Sequence, residues 1–338
     1  MKHEINLSNF DIHTDLAIDI IDKKTDLKGV KQIIKSIDEV TVTDVELEKN
    51  NSLGKKEGIY ITIEFNDITD TDNYKNIKEV VIDEFRKILN KKNIKMNDKC
   101  LFIGLGNRKS TPDSLGPKVS RDIIVTKHIY DLGELDSKYR VVSVISPGVS
   151  ANTGIETSDI VESIVKKIKP DFILAVDALA SGSIDRVNKT IQMTDTGIHP
   201  GSGIGNTRKE ISKDTIGVPV IAIGVPTVVD ASVIVSDTIN YMYKHYAFNK
   251  EYSKNPKSKL TFNNVNYLNN NIVINTKDKE DLFGLIGKLN SDEVKMLINE
   301  VLNPIGYNLM VTPKEIDFVI DKLSMLISSV VNETLHEI

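Results

Sequence analysis

The sequence has one cysteine, Cys100, no tryptophan, and aromatic residues at only 6%. A lone cysteine excludes a disulfide framework within the chain, a usage that fits a reducing cytoplasm. Cys100 has no histidine near it in sequence, so it reads as a small, half-buried residue before a strand rather than a reactive thiol. With so few aromatics, a core must come mainly from Ile, Val and Leu, which suits a parallel sheet. Long apolar runs are missing too. The chain opens on Met1-Lys2-His3-Glu4-Ile5 and stays charged, with no signal-peptide core and no stretch of membrane-span length. The formal net charge is only −5, which does not suggest a nucleic-acid groove but leaves room for a local basic patch.

What is present is a globular composition: 338 residues, 40% hydrophobic and 27% charged, enough for one large domain or two ordinary ones. Residues 1–20 show no clean helical stripe and read as an edge strand, an arm or a processed segment. Two stretches, 39–48 and 58–65, alternate at period two and are expected to pair as a hairpin across a turn rich in Asn, Ser and Gly. Residues 73–90 carry Ile77, Val81, Phe85 and Ile88 on one helical face. Strands then alternate with helices: strands at 99–105, 140–146, 171–177 and 218–224, helices at about 113–127, 155–168 and 229–244. That rhythm predicts an α/β three-layer sandwich around a mainly parallel or mixed sheet. Residues 246–278 lose the rhythm and read as an irregular insertion, and 279–338 return to helices.

Two predicted strands end at carboxylates. Phe102-Ile103-Gly104-Leu105-Gly106-Asn107 runs into Thr111-Pro112-Asp113, and Phe172-Ile173-Leu174-Ala175-Val176 runs into Asp177. Ligands meet open parallel sheets at the carboxyl ends of strands, so Asp113 and Asp177 are candidates for one crevice. Asp113 alone fits a helix-capping role after Thr-Pro. Asp177 shifts the balance, because a charge after five apolar residues is costly unless paired, hydrogen-bonded or protonated. Two carboxylates in one confined site split their pKa values. The ionised one can activate water while the protonated one polarises a scissile carbonyl. The glycines at 104 and 106 match neither a dinucleotide fingerprint, since Lys109 stands where a glycine is needed, nor a Walker loop. His199 lies in a run with four glycines from Gly197 to Gly205, in which Gly201, Ser202 and Gly203 are candidates to line a substrate cleft. It is either a loop histidine or, with Asp113 and Asp177, a third ligand for a divalent metal. No Gly-x-Ser-x-Gly elbow is present, which argues against a serine hydrolase.

Taken together, Gly104-Leu105-Gly106-Asn107, Thr111 to Pro117, Val176 to Ala180 and Asp195 to Gly203 resemble the germination protease family of spore-forming bacteria, and the resemblance covers nearly the whole chain. It implies an endopeptidase, similar in fold to hydrogenase-maturation endopeptidases, that degrades small acid-soluble spore proteins in the spore core during germination. It further implies a homotetramer made as a zymogen, whose two essential aspartates fall on Asp113 and Asp177, with aspartic and metal-dependent mechanisms both open. No cofactor beyond such a metal, and no direct binding to nucleic acid or membrane, is expected. By the same resemblance the activating cut is expected in Thr14-Asp15-Leu16-Ala17, between Asp15 and Leu16, leaving a propeptide of residues 1–15 and a peptidase domain of 16–338. An acidic residue, then a bulky apolar one, then Ala also resembles the cleavage pattern in substrates. Thr25-Asp26-Leu27 is followed by Lys28 and so lacks the small third residue, and His13 stands where some relatives carry Arg. Two rival readings are a nucleoside or nucleotide hydrolase or phosphorylase built on the same strand ends, and a non-catalytic spore protein. Both require an intact N-terminus.

Overall fold

Three antiparallel strands open the sheet: β1 (Val30–Ile37), β2 (Val40–Leu47) and β3 (Gly58–Glu64), with Val42 opposite Ile63. The structure is a computed structural model that describes residues 14–22, 27–201, 209–253, 274–302 and 309–338. The remaining strands are β4 (Cys100–Gly104), β5 (Val142–Ile145), β6 (Phe172–Ser181), β7 (Thr190–Thr194), β8 (Val220–Asp230) and β9 (Met310–Val311). The helices are α1 (Ala17–Ile21), α2 (Thr71–Lys91), α3 (Leu115–Arg121), α4 (Lys127–Asp131), α5 (Ser150–Thr153), α6 (Thr157–Ile168), α7 (Lys213–Ile216), α8 (Ala231–Ser253), α9 (Thr276–Phe283), α10 (Ser291–Leu302) and α11 (Ile316–Leu335).

The chain divides into two compact units. The larger is His13–Val228 with Thr312–Ile338, and the smaller contains Val229–Val311. The larger unit holds the α/β sandwich, with strand order β1-β2-β3-β7-β8-β6-β4-β5. β4 runs parallel to both β5 and β6, while β1, β2, β3, β7 and β8 are joined antiparallel, so the sheet is mixed. The expected hairpin is β2–β3. β1 and β7 were not apparent in the sequence: β1 exposes Ile33, Ile34 and Ile37, which blurs its alternation, and Thr190-Ile191-Gln192-Met193-Thr194 is short and half polar.

Strand alternation sorts the apolar residues onto two faces. Phe102, Leu174, Val176, Ile223 and Ile63 pack under α2, α3 and α11 through Phe85, Val119, Leu323 and Val330. Leu101, Ile103, Ile173, Ala175 and Leu179 form the opposite core with Val161 and Val165 of α6. Leu16 and Ile18, beside the expected cut, join this second core, and Leu16 is fully buried. β2 contributes to both sides: Val40 and Val42 face α2, whereas Val45 and Leu47 pack with Ala17, Ile21 and Tyr60. The helix boundaries also differ from expectation. α6 begins at Thr157, with Glu156 holding the N-cap position without a side-chain bond.

In the smaller unit α8 continues to Ser253, past the expected break at 246, and α9 begins at Thr276. Between them, residues 254–273 of the expected insertion lie outside the described residues. β9 pairs antiparallel with the last two residues of β8. The expected helical C-terminal part is present as α9, α10 and α11, interrupted by β9. Among the described residues, no helix is long and apolar enough to cross a membrane.

Candidate active site

Asp177 is not at a strand end, because β6 runs on to Ser181. Its neighbour β4 is the strand that stops. Gly104 pairs with Val176, the Leu105 N–H donates to the Val176 carbonyl at 2.8 Å, and β4 goes no further. Asp177 therefore sits where one edge of β6 loses its partner. It is 5% exposed, and Oδ1 accepts the Ala178 N–H at 2.9 Å.

Asp113 reaches the same place from β4. It ends a single 3₁₀ turn, Thr111–Asp113, with Pro112 setting the first turn. The loop closes on itself: the Asn107 N–H donates to the Asp113 carbonyl at 2.8 Å, and the Asp113 N–H donates to the Ser110 carbonyl at 2.9 Å. Thr227 Oγ1, from β8, anchors the Pro112 carbonyl at 2.7 Å. Asp113 does not cap α3. Ser114 holds that position, without a side-chain bond. The turn that ends at Asp113 thus packs against β6, the strand that carries Asp177, just beyond the end of β4.

Gly106 and Gly116 are what permit this approach. Gly106 has φ +112°, and a Cβ there would lie 2.1 Å from the Asp113 carbonyl oxygen and 3.1 Å from Asp113 Oδ1. A Cβ on Gly116 would lie 2.3 Å from the Leu105 carbonyl oxygen and 2.4 Å from that of Val176. Only hydrogen at both positions lets the Asp113 loop and α3 lie directly on the ends of β4 and β6.

The segment that carries the expected cut is docked on the same strand. The Asp15 N–H donates to the Ala180 carbonyl at 3.2 Å, and the Ala180 N–H donates to Asp15 Oδ2 at 2.9 Å. Ala180 lies four residues beyond Val176, so by alternation it presents the edge of β6 that β4 vacates. The Asp15 carbonyl accepts Lys55 Nζ at 3.1 Å and Gln192 Nε2 at 3.2 Å, while Gln192 Oε1 accepts the Ala17 N–H at 2.7 Å. Four residues past Asp15, Asp19 is 1% exposed; its Oδ2 accepts the Gly182 N–H at 2.6 Å and Thr14 Oγ1 at 2.5 Å. Arg186 closes the grip, reaching Asp19 at 2.6 Å, Asp22 at 2.5 Å and Glu64 at 3.0 Å. A cavity of about 300 Å³ lies beside Thr14 and Asp15, lined also by Lys55, Gln192, Leu179 and His199.

His199 lies in its loop beside Glu210. Its Nε2 lies 3.0 Å from Glu210 Oε2, and its side chain is 56% exposed. Burial works against the Glu210 charge, but Lys56 and Ser212 outweigh it and hold the carboxyl below its usual range. Among the described residues no three His, Cys, Asp or Glu side chains converge as a metal would require, so Asp113, Asp177 and His199 do not form the expected ligand set. Gly201 is described, in a left-handed turn at φ +74°; Ser202 and Gly203 lie outside the described residues. Lys55, Gln192, Asp19 and Arg186 were all missed from the sequence. Lys55 sits in a turn and Gln192 on the unread strand β7, so neither carried a local signal.

Comparison with known proteins decides the family. The family model described as germination protease matches residues 10–338. The chain belongs to the germination protease family. It is 43% identical to the germination protease of Geobacillus sp. (strain WCH70), across 100% of this chain and 97% of that protein. It is 42% identical to that of Bacillus subtilis (strain 168), across 99% of this chain and 96% of the relative. Among solved structures, the [NiFe] hydrogenase maturation protease HycI from Thermococcus kodakarensis KOD1 aligns with 38% of this chain and 74% of its own, at 17% identity and a TM-score of 0.26. As a germination protease, the chain is a peptidase of spore germination, and the nucleotide-hydrolase and non-catalytic readings fall away.

Proposed function

We propose that this germination protease is an endopeptidase made as a zymogen, which cuts its own chain between Asp15 and Leu16 and then cleaves small acid-soluble spore proteins in the spore core. Substrates are cut after an acidic residue and before a bulky apolar residue followed by Ala. One observation carries the reading: the Thr14-Asp15-Leu16-Ala17 segment is paired to β6 at Ala180, on the strand that bears Asp177. A tethered segment at high effective concentration is a natural first substrate. Self-association as a homotetramer belongs to the same reading.

In the proposed chemistry Asp113 and Asp177 share one proton. The ionised carboxylate takes a proton from water as its oxygen bonds to the carbonyl carbon of the acidic residue. The C–N bond then breaks, and the departing nitrogen takes the proton of the other carboxyl. Because the metal donor set does not converge among the described residues, no step is assigned to a metal.

The test is intact mass after mild acidification, which is expected to fall by residues 1–15 in the wild type. D113N and D177N should keep the full chain and leave spore proteins uncut while melting as folded proteins. Normal maturation of both variants would remove these residues from the mechanism.

A further inference from the structure

One backbone carbonyl in the docked segment is held in an unusual way. The Asp15 carbonyl oxygen receives two side-chain N–H donors, Lys55 Nζ at 3.1 Å and Gln192 Nε2 at 3.2 Å, from regions more than a hundred residues apart in sequence. Lys55 comes from the turn between β2 and β3, and Gln192 from the middle of β7. Neither donor is needed to close a strand ladder, since Asp15 already exchanges bonds with Ala180 through its N–H and its carboxylate. This oxygen is also the one that gains charge when water adds to the carbon of the proposed scissile bond.

From this geometry we infer that Lys55 and Gln192 form the carbonyl-binding pair of the active site, gripping and polarising the carbonyl of the residue before the cut in the propeptide and in protein substrates alike. The inference rests on the proposed cut between Asp15 and Leu16. Donors already aimed at the carbonyl have no reorganisation to undergo as negative charge develops there, and contacts of 3.1 and 3.2 Å leave room to shorten as the oxygen becomes an oxyanion. The surroundings suit the task. Lys55 is half-buried as a residue, with its ammonium end enclosed. That desolvation draws its pKa down, against the pull of Asp15 and Asp19. A poorly solvated ammonium gains more from an oxyanion than one in water does. The adjoining cavity, lined by Lys55, Gln192 and Leu179, leaves space beside the carbonyl for a substrate side chain. Lys55 and Gln192 thus share carbonyl polarisation with the protonated carboxyl, leaving the aspartate pair chiefly to handle water and the departing nitrogen.

The test uses the full-length chain as wild type, K55M and Q192E, following loss of residues 1–15 by intact mass, with melting midpoints measured in parallel. Q192E keeps the oxygen that accepts the Ala17 N–H but replaces the donor to Asp15. Each variant is expected to process about 10²-fold more slowly or worse, the usual effect of losing one such donor, with a melting midpoint close to wild type. Leu16 and Ala17 are fully buried, so an unseated segment would register as a lowered midpoint. Slowing accompanied by that loss would mean the pair only seats the segment, and overturns the inference. Processing of either variant at the wild-type rate overturns it as well. Should K55M fail to fold, Q192E carries the test alone. A wild-type chain that never opens the Asp15–Leu16 bond refutes the underlying reading and this inference with it. A wild type that opens this bond while both variants keep pace refutes the inference only.

Discussion

The Ala180 N–H donates to the Asp15 carboxylate at 2.9 Å, and the Ala180 carbonyl accepts the Asp15 N–H at 3.2 Å. One residue of β6 thereby reads both the main chain and the acidity of the residue before the proposed cut. D15A removes the carboxylate acceptor, whereas D15N keeps an oxygen for Ala180 and loses only the charge that faces Lys55. A hydrogen bond to a charged group contributes about 1.5–3 kcal/mol, so D15A should slow self-cleavage by roughly tenfold or more. D15N should fall between D15A and the wild type. Time courses of intact mass give all three rates.

Arg186 answers three carboxylates with one guanidinium: Asp19, Asp22 and Glu64. Burial costs it solvation, but Asp19 first and then Asp22 and Glu64 raise its pKa further above the ordinary range, so it stays charged. Asp19 is 1% exposed, and R186L would leave it as a buried carboxylate without its guanidinium. Stranding a buried charge costs about 3 kcal/mol or more. R186L is therefore expected to lower unfolding free energy by roughly that amount in urea titrations. Adding D19N should recover part of the loss, since an amide carries no charge to strand. Equal stability of R186L and the wild type would mean that the latch contributes nothing.

Some of this architecture is readable in the residues, and the reasons for the rest are physical. Period-two alternation locates β2 and β3, and five apolar residues before Asp177 mark both the strand and the cost of its charge. The Asp113 loop is announced by its Thr-Pro and its glycines, although the reason for Gly106 appears only once Asp113 lies against it. Strand β7 is hidden because it is short and half polar, and so is Gln192 with it. The partners of Asp15 come from residues 55, 180 and 192, and no local pattern links positions that only the fold brings together. His199 shows the converse: a glycine-rich loop suggested a ligand, but its nearest acidic partner is Glu210, across the Ile198–Ile211 bridge.

Cys100 offers a stability test in the alkaline range. It is 2% exposed, and burial pushes its thiol from 9.0 up to about 12, with Arg140 pulling weakly the other way. Above pH 9 the unfolded chain loses this proton while the folded chain keeps it, so the unfolded state binds fewer protons and stability falls as pH rises. The contribution is complete below the unfolded value and is lost progressively between 9.0 and about 12. Each pH unit in that window corresponds to about 1.4 kcal/mol. The stability advantage of the wild type over C100A should therefore shrink at about that rate above pH 9. Parallel slopes for the two proteins between pH 9 and 11 would show that the thiol ionises normally in the folded chain.

Gly106 separates the demands of the backbone from those of the site. Its φ of +112° is a conformation that side chains with a Cβ rarely adopt, and a methyl there would meet the Asp113 carbonyl oxygen at 2.1 Å. G106A combines backbone strain of about 1–3 kcal/mol with a forced displacement of the loop that presents Asp113. Gly133 supplies the control, with φ +78° but nothing within 4 Å of its Cβ position. G133A should cost only strain, about 1 kcal/mol, and process normally. G106A should be less stable than G133A and should stop losing residues 1–15 even at temperatures well below its own melting midpoint. Urea midpoints and intact-mass time courses measure the two effects apart. Normal processing by a folded G106A would show that the position of Asp113 set by this loop does not matter to the cut.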